Sequence, residues 1–303
     1  MGNSDTGLLR QAGKLFRKAI YNPKIPVKTL RVHFDALLGE AILPHNMDLQ
    51  TVDAGVIPAD LLSPELAIGK RIVLYAHGGG FISGSRKAYR SLCASLATEC
   101  AARLLLPEYR LSPEYPFPTA LEDLYNAYAW LLKQGNNPAD IIVAGDGAGG
   151  NLALSLLHYL SDKGSPLPAA AILLSPWTDL ACEGQAFLAR KHPDPIHTKE
   201  ILSALALQYT WQSNFKNPQV SPIHGDFSLF PPLYIQCGSK EILLDDSRAL
   251  AERARAVGIP TVLDIEDGMW HLFQAIDRLT PRAHLAVKRI GAWARSGCAG
   301  GLR

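Results

Sequence analysis

The sequence predicts an α/β fold, a mostly parallel central sheet covered by helices on both faces. Three observations point there. Short, almost wholly apolar runs recur along the 303 residues, as expected of strands buried on both sides. Amphipathic stretches of about 15 residues separate them, long enough to be the crossover helices that parallel strands require. Glycine clusters stand directly at the ends of two runs, where a chain leaving a strand turns sharply.

In order, residues from about 5 to 40 form two amphipathic patterns, LLRQAGKLFRKAI and VKTLRVHFDALLGE, separated by the turn-prone NPKIP. An extended region follows over 47–53, and then RIVLYAH from Arg71, a buried strand with Gly78, Gly79 and Gly80 close behind it. Further strands are expected at 104–109, 140–145, 169–175, 232–238 and 261–266. Between them lie the helical patterns ALEDLYNAYAWLLKQ, GGNLALSLLHYLSDKG and DDSRALAERARAVG. The alternation lapses between about Cys182 and Pro222, where helix-like pieces occur without a strand. An insertion placed after a strand end has the character of a lid, and with the N-terminal helices it is expected to cap the carboxyl ends of the strands. The expected division is cap helices over 1–45, one α/β domain over 46–297 with the insertion at about 182–222, and a flexible tail over 298–303.

Composition narrows the function. The 48% hydrophobic content suffices for a large core. With 30 basic and 28 acidic residues, a formal charge of +2 and no charge runs, there is no electrostatic footprint for nucleic acid or an anionic surface. A neutral small molecule is the expected partner. Cys93, Cys100, Cys182, Cys237 and Cys298 are scattered, odd in number and without metal or redox spacing, so free thiols in a reducing cytoplasm and no metal are expected. No segment approaches the roughly 20 apolar residues of a membrane helix, so no stable membrane insertion is expected. Gly2 and Thr6 meet the permissive N-myristoylation pattern, whose consequence would be weak membrane association.

Four motifs carry chemistry. His77-Gly78-Gly79-Gly80-Phe81 ends a strand, and its glycines let backbone N–H groups point into a cleft, where they can stabilise a developing oxyanion. Gly145-Asp146-Gly147-Ala148-Gly149-Gly150-Asn151 joins a strand to a helix with small residues around position 147, the setting of a nucleophile elbow whose serine is missing. A phosphate loop would need Lys-Ser/Thr where Asn151-Leu152 stands, and the dinucleotide spacing is absent. His271 follows the last strand, where a general base is delivered, whereas His33, His45, His158, His192, His197, His224 and His284 read as ordinary histidines. After PLYIQCG come Glu241, Asp245 and Asp246; one of the aspartates reads as a helix N-cap, which leaves Glu241 to orient the base. Phe81, Trp177, Tyr209, Trp211, Phe215, Met269 and Trp270 are candidate substrate-pocket walls, although each also reads as core.

Taken in order, HGGGF, PEYRLSPEYPFPTALEDLYNAYAWL, GDGAGGNLAL, SPWTDL and PPLYIQCG resemble the bacterial hormone-sensitive-lipase-like (family IV) carboxylesterases from about Ile72 to Phe273. The resemblance implies the α/β-hydrolase fold and cofactor-free hydrolysis of short-chain acyl esters. It also implies an oxyanion hole from the N–H groups of Gly79, Gly80 and Ala148, with His271 as base. The acid is usually aspartate at the position of Glu241, but a subgroup with glutamate followed by Leu-Leu-Asp supports Glu241. A homodimer through an exposed edge strand is a further implication. Two departures stand out: Tyr115 replaces a usual histidine, and Gly147 stands where the nucleophilic serine belongs.

Without that hydroxymethyl group the covalent path is lost while donors and base remain, so the chain is expected to bind esters and barely turn them over. In a serine protease the comparable loss costs on the order of a millionfold and leaves about a thousandfold over water. A water beside His271 is a conceivable but poorly oriented nucleophile. Three readings of the glycine stand: an esterase inactivated at position 147, a non-catalytic small-molecule receptor on a hydrolase cleft, and a phosphate binder using the glycine loops.

Overall fold

A computed structural model describes residues 11, 14–17, 22, 24–39, 43–67, 69–188 and 193–298. Gly2, Thr6, His192 and the tail beyond 298 lie outside them, as does part of the first helical pattern.

Strands β1 (Met47–Asp53), β2 (Pro58–Pro64), β3 (Ile72–Ala76), β4 (Arg103–Pro107), β5 (Ile141–Asp146), β6 (Ala170–Leu174), β7 (Leu233–Gly238) and β8 (Thr261–Glu266) form one sheet in the order β1-β2-β4-β3-β5-β6-β7-β8. The β1–β2 and β2–β4 pairs are antiparallel and the others parallel. Every residue of β3, β5, β6 and β7 is buried, which is why these strands are unbroken apolar runs in the sequence. The helices include α1 (Val27–Leu38), α2 (Arg86–Cys100), α3 (Thr119–Lys133), α4 (Ala148–Asp162), α5 (Gln185–Leu188), α6 (Lys199–Tyr209), α7 (Leu244–Ala256) and α8 (Pro281–Arg295).

Strand order fixes where a site can form. From β3 the chain runs through α2 to β4 on one side; from β4 it runs through α3 past β3 to β5 on the other side, and from β5 through α4 farther along to β6. Right-handed crossovers then put α2 on one face of the sheet and α3 and α4 on the opposite face. Accordingly α2 packs on α8, and α3 on α4. The loops after β3 and β5 therefore diverge, and a crevice opens between the carboxyl ends of these adjacent strands.

Differences from the sequence expectations are local. Strand β2 was not anticipated; Pro58, its first residue, stands where a strand tolerates proline. Helix α2 was also not anticipated; Ser85 caps it by accepting from the Ala88 N–H at 3.2 Å. Helix α7 begins at Leu244, so neither Asp245 nor Asp246 is its N-cap; that place belongs to Leu243, whose side chain caps nothing. The Asp246 carboxylate instead accepts from the N–H groups of Thr178 and Asp179 and from the Thr178 hydroxyl, and Asp245 accepts from the Ala186 N–H.

Among the described residues, the stretch from Cys182 to Pro222 holds α5, α6 and 3₁₀ turns but no strand. The Phe117 N–H donates to the Tyr209 carbonyl at the end of α6, while Arg31 on α1 donates to the carbonyls of Ile82 and Ser112. Both segments thus lie against the chain that leaves the β3 glycine loop. All five cysteines are free and buried. Among the described residues no helix is long and apolar enough to cross a membrane.

Candidate active site

The crevice predicted by strand order is occupied by both glycine motifs. Strand β5 ends at Asp146, α4 begins at Ala148, and Gly147 turns between them with φ 50° and ψ −112°, a conformation that disfavours any side chain. Its N–H donates to the Leu174 carbonyl and its carbonyl accepts from the Trp177 and Asn151 N–H groups, each at 3.0 Å. A Cβ at Gly149 would lie 2.0 Å from the Ala76 carbonyl oxygen, so α4 can press on the end of β3 only because glycine stands there.

Asp146 ties the two motifs together, a role the sequence reading did not assign. Its Oδ1 accepts from the Gly78 N–H at 2.8 Å and the Tyr75 hydroxyl at 2.9 Å, and its Oδ2 accepts from the Tyr89 hydroxyl at 2.9 Å. Burial pushes this carboxyl up, opposed by His271 and the tyrosine hydrogen bonds. The available signal was an acid inside an otherwise small-residue elbow. Among the described residues no hydrogen bond uses the N–H of Gly79, Gly80 or Ala148, and all three residues line the same cleft.

His271 leaves β8 on a short loop and is followed by Leu272 in the left-handed region, φ 59°. Its Nδ1 is 3.2 Å from Glu241 Oε2, and Glu241 Oε1 accepts from the Ser175 hydroxyl at 2.7 Å and from the Gly238 N–H. Burial pulls the imidazole down, but the Glu241 hydrogen bond and charge, aided by Asp146 and Asp194, outweigh it and raise His271 above its ordinary value. Asp246 is pushed up to about 7 by burial and is engaged with the loop after β6.

The Nε2–Cε1 edge of the His271 ring meets the elbow. A Cβ at Gly147 would lie 2.9 Å from His271 Nε2 and 3.0 Å from Cε1. The structure thus gathers Gly147, His271, Gly79, Gly80 and Ala148 around one cleft, with Glu241 buried behind His271.

The predicted walls need correction. Of the seven bulky candidates, Trp177 lines the cleft. Phe81 and Tyr209 stack on each other, centroids 3.8 Å apart, and both are buried. Phe215, Met269 and Trp270 are absorbed into the hydrophobic core, and Trp211 is 81% exposed. Large aromatics seek burial wherever it is offered, so size does not report which way a side chain faces. The apolar walls come instead from Phe16, Phe34, Leu202, Leu205, Leu243 and Leu272, with His197 among them. Tyr115 is half-exposed, with the Arg110 guanidinium 5.4 Å from its ring centre.

Comparison with known proteins gives the family of the chain. Residues 73–275 match the family of the alpha/beta hydrolase fold. An acetyl-hydrolase of Streptomyces hygroscopicus is 39% identical over 252 residues, 83% of this chain and 84% of that protein. An esterase of Acinetobacter venetianus is 35% identical over 231 residues, 76% of each chain. A crystal structure of an esterase from the bacterial hormone-sensitive lipase family superposes with a TM-score of 0.91 at 34% identity, over 98% of this chain and 99% of that one. The chain therefore belongs to the α/β-hydrolase fold family, within the bacterial hormone-sensitive-lipase-like esterases.

Proposed function

We propose that the cleft is the active site of a hydrolase for short-chain carboxylic esters, in a form that binds substrate and barely hydrolyses it because position 147 carries no nucleophile. The observation that carries this reading is the Glu241–His271 pair aimed at a bare elbow, with His271 Nε2 2.9 Å from where a Cβ would be. The relatives named esterase and acetyl-hydrolase support ester chemistry with a small acyl group.

In the reading proposed, a serine at 147 gives its proton to His271 Nε2 as its oxygen attacks the ester carbonyl. The N–H groups of Gly79, Gly80 and Ala148 receive the oxyanion, having no partner to surrender among the described residues. Glu241 holds the tautomer with the proton on Nδ1 and stabilises the imidazolium. The alcohol leaves with the proton from His271, and water repeats the route to release the acid. The segments around α1 and α6 form the cap that closes the apolar side of the cleft.

With Gly147 in place, binding should persist without turnover. Saturation-transfer NMR on the chain with p-nitrophenyl butyrate is expected to show specific, competable binding, while p-nitrophenol release stays close to the buffer rate. Absence of ester binding at millimolar concentration, together with tight binding of one non-ester molecule, would favour the receptor reading instead.

A further inference from the structure

One polar side chain in the cleft has no task in the proposed chemistry. His197, in the segment between α5 and α6, lines the cleft and is 6% exposed. Its Nδ1 is buried without a hydrogen-bond partner; Asp194 Oδ2, at 3.8 Å, is too far to serve. With Nδ1 shut in beside Asp194, the nitrogen left to meet a ligand in the cleft is Nε2, which makes no hydrogen bond among the described residues.

The imidazole is also held in place. Asp194 Oδ1 accepts from the N–H groups of Ile196 and His197 at 2.7 and 2.9 Å, and Oδ2 accepts from the N–H of Ile242, directly after Glu241, at 2.8 Å. That carboxylate fastens the His197 segment to the loop of the acid. The His197 ring meets His271 edge-on, with centroids 4.6 Å apart and planes at 81°. The two imidazoles therefore border the same part of the cleft. Burial first, and the neighbouring His271 second, keep His197 well below the usual histidine range. A neutral imidazole offers one donor and one acceptor.

We propose that His197 is a substrate-recognition residue that hydrogen-bonds an oxygen substituent beside the scissile carbonyl. The cleft would thereby favour short esters carrying a hydroxyl or second carbonyl next to the reacting group over purely aliphatic ones. This rests on the ester reading above. The walls nearby, Phe34, Leu202 and Leu205 among them, offer such an oxygen nothing but hydrocarbon.

Ethyl lactate and ethyl isobutyrate have nearly the same shape and differ by a hydroxyl for a methyl beside the carbonyl. Calorimetric or NMR titration of the unaltered chain is expected to give about tenfold tighter binding of the lactate ester, the value of one buried hydrogen bond. In His197→Phe the ratio should fall to about one, whereas His197→Gln, which keeps a donor and an acceptor, should retain part of it. Equal affinities in the unaltered chain, a comparison that needs no variant to fold, would overturn the proposal, as would a preference that survives in His197→Phe. If ethyl isobutyrate binds but the preference is absent, only the role of His197 fails; if neither ester binds, the ester reading fails with it.

Discussion

Gly147→Ser is expected to raise kcat for p-nitrophenyl butyrate by about 10⁴- to 10⁶-fold, the span set by what removal of a serine nucleophile costs elsewhere. Space for the side chain must be made, because a Cβ at 147 would sit 2.9 Å from His271 Nε2. The ring can give in the right direction. Nε2 and Nδ1 flank Cε1, so a swing of the tethered ring that withdraws the Nε2–Cε1 edge from the elbow carries Nδ1 with it, and the room for that swing is on the Glu241 side. There the 3.2 Å contact is longer than the roughly 2.7–2.9 Å of a charge-assisted bond, leaving a few tenths of an ångström. The serine would thus tighten the dyad it needs. Its backbone would also inherit φ 50° and ψ −112°, at a cost of about 1–3 kcal/mol. Steady-state assays and urea denaturation of the same variant should therefore show activity gained and stability lost together.

In that serine-bearing background, Glu241→Gln is expected to lower kcat by about 10⁴-fold. A glutamine can present its amide N–H to Nδ1, which puts the ring proton on Nε2, where the base must be free. Loss on this scale follows because Glu241 touches His271, while Asp245 and Asp246 are occupied with Ala186, Thr178 and Asp179. The pH profile adds an independent readout. Only neutral imidazole takes the serine proton, and Glu241 helps to hold His271 above its ordinary value of 6.5, so activity should fall as pH drops through that raised value. Removing the Glu241 charge leaves burial dominant, and the acid limb should move to lower pH. Linkage has the matching sign: the contribution of His271 to stability is fully present below its unfolded value and is lost as pH rises through the raised one.

Much of this was legible in the sequence, for identifiable reasons. Strands such as Ile141–Asp146 and Leu233–Gly238 are buried on both faces, and that demand writes itself as an apolar run. The elbow and the glycine loop were legible because close backbone approach and positive φ leave glycine as the fitting residue at such positions. Where a side chain's job depends on what another segment brings to it, the sequence was mute. Asp246 looked like a helix cap until the loop at Thr178 was placed against it. Trp211 and Phe81 looked alike as wall candidates, yet one is exposed and the other is stacked behind the cleft. His197 read as an ordinary histidine, because nothing local announces that its ring meets His271.

Whether position 147 is the seat of a missing nucleophile is tested most directly by covalent labelling. Gly147→Ser would be incubated with a p-nitrophenyl alkylphosphonate, which transfers its phosphonyl group to an activated serine with loss of p-nitrophenolate, and the adduct located by peptide mass spectrometry beside the unaltered chain. One adduct, on residue 147 of the serine variant and absent from the glycine chain, is the expected result. A folded serine variant that takes up no label, or labelling of both chains at some other residue, would contradict the account.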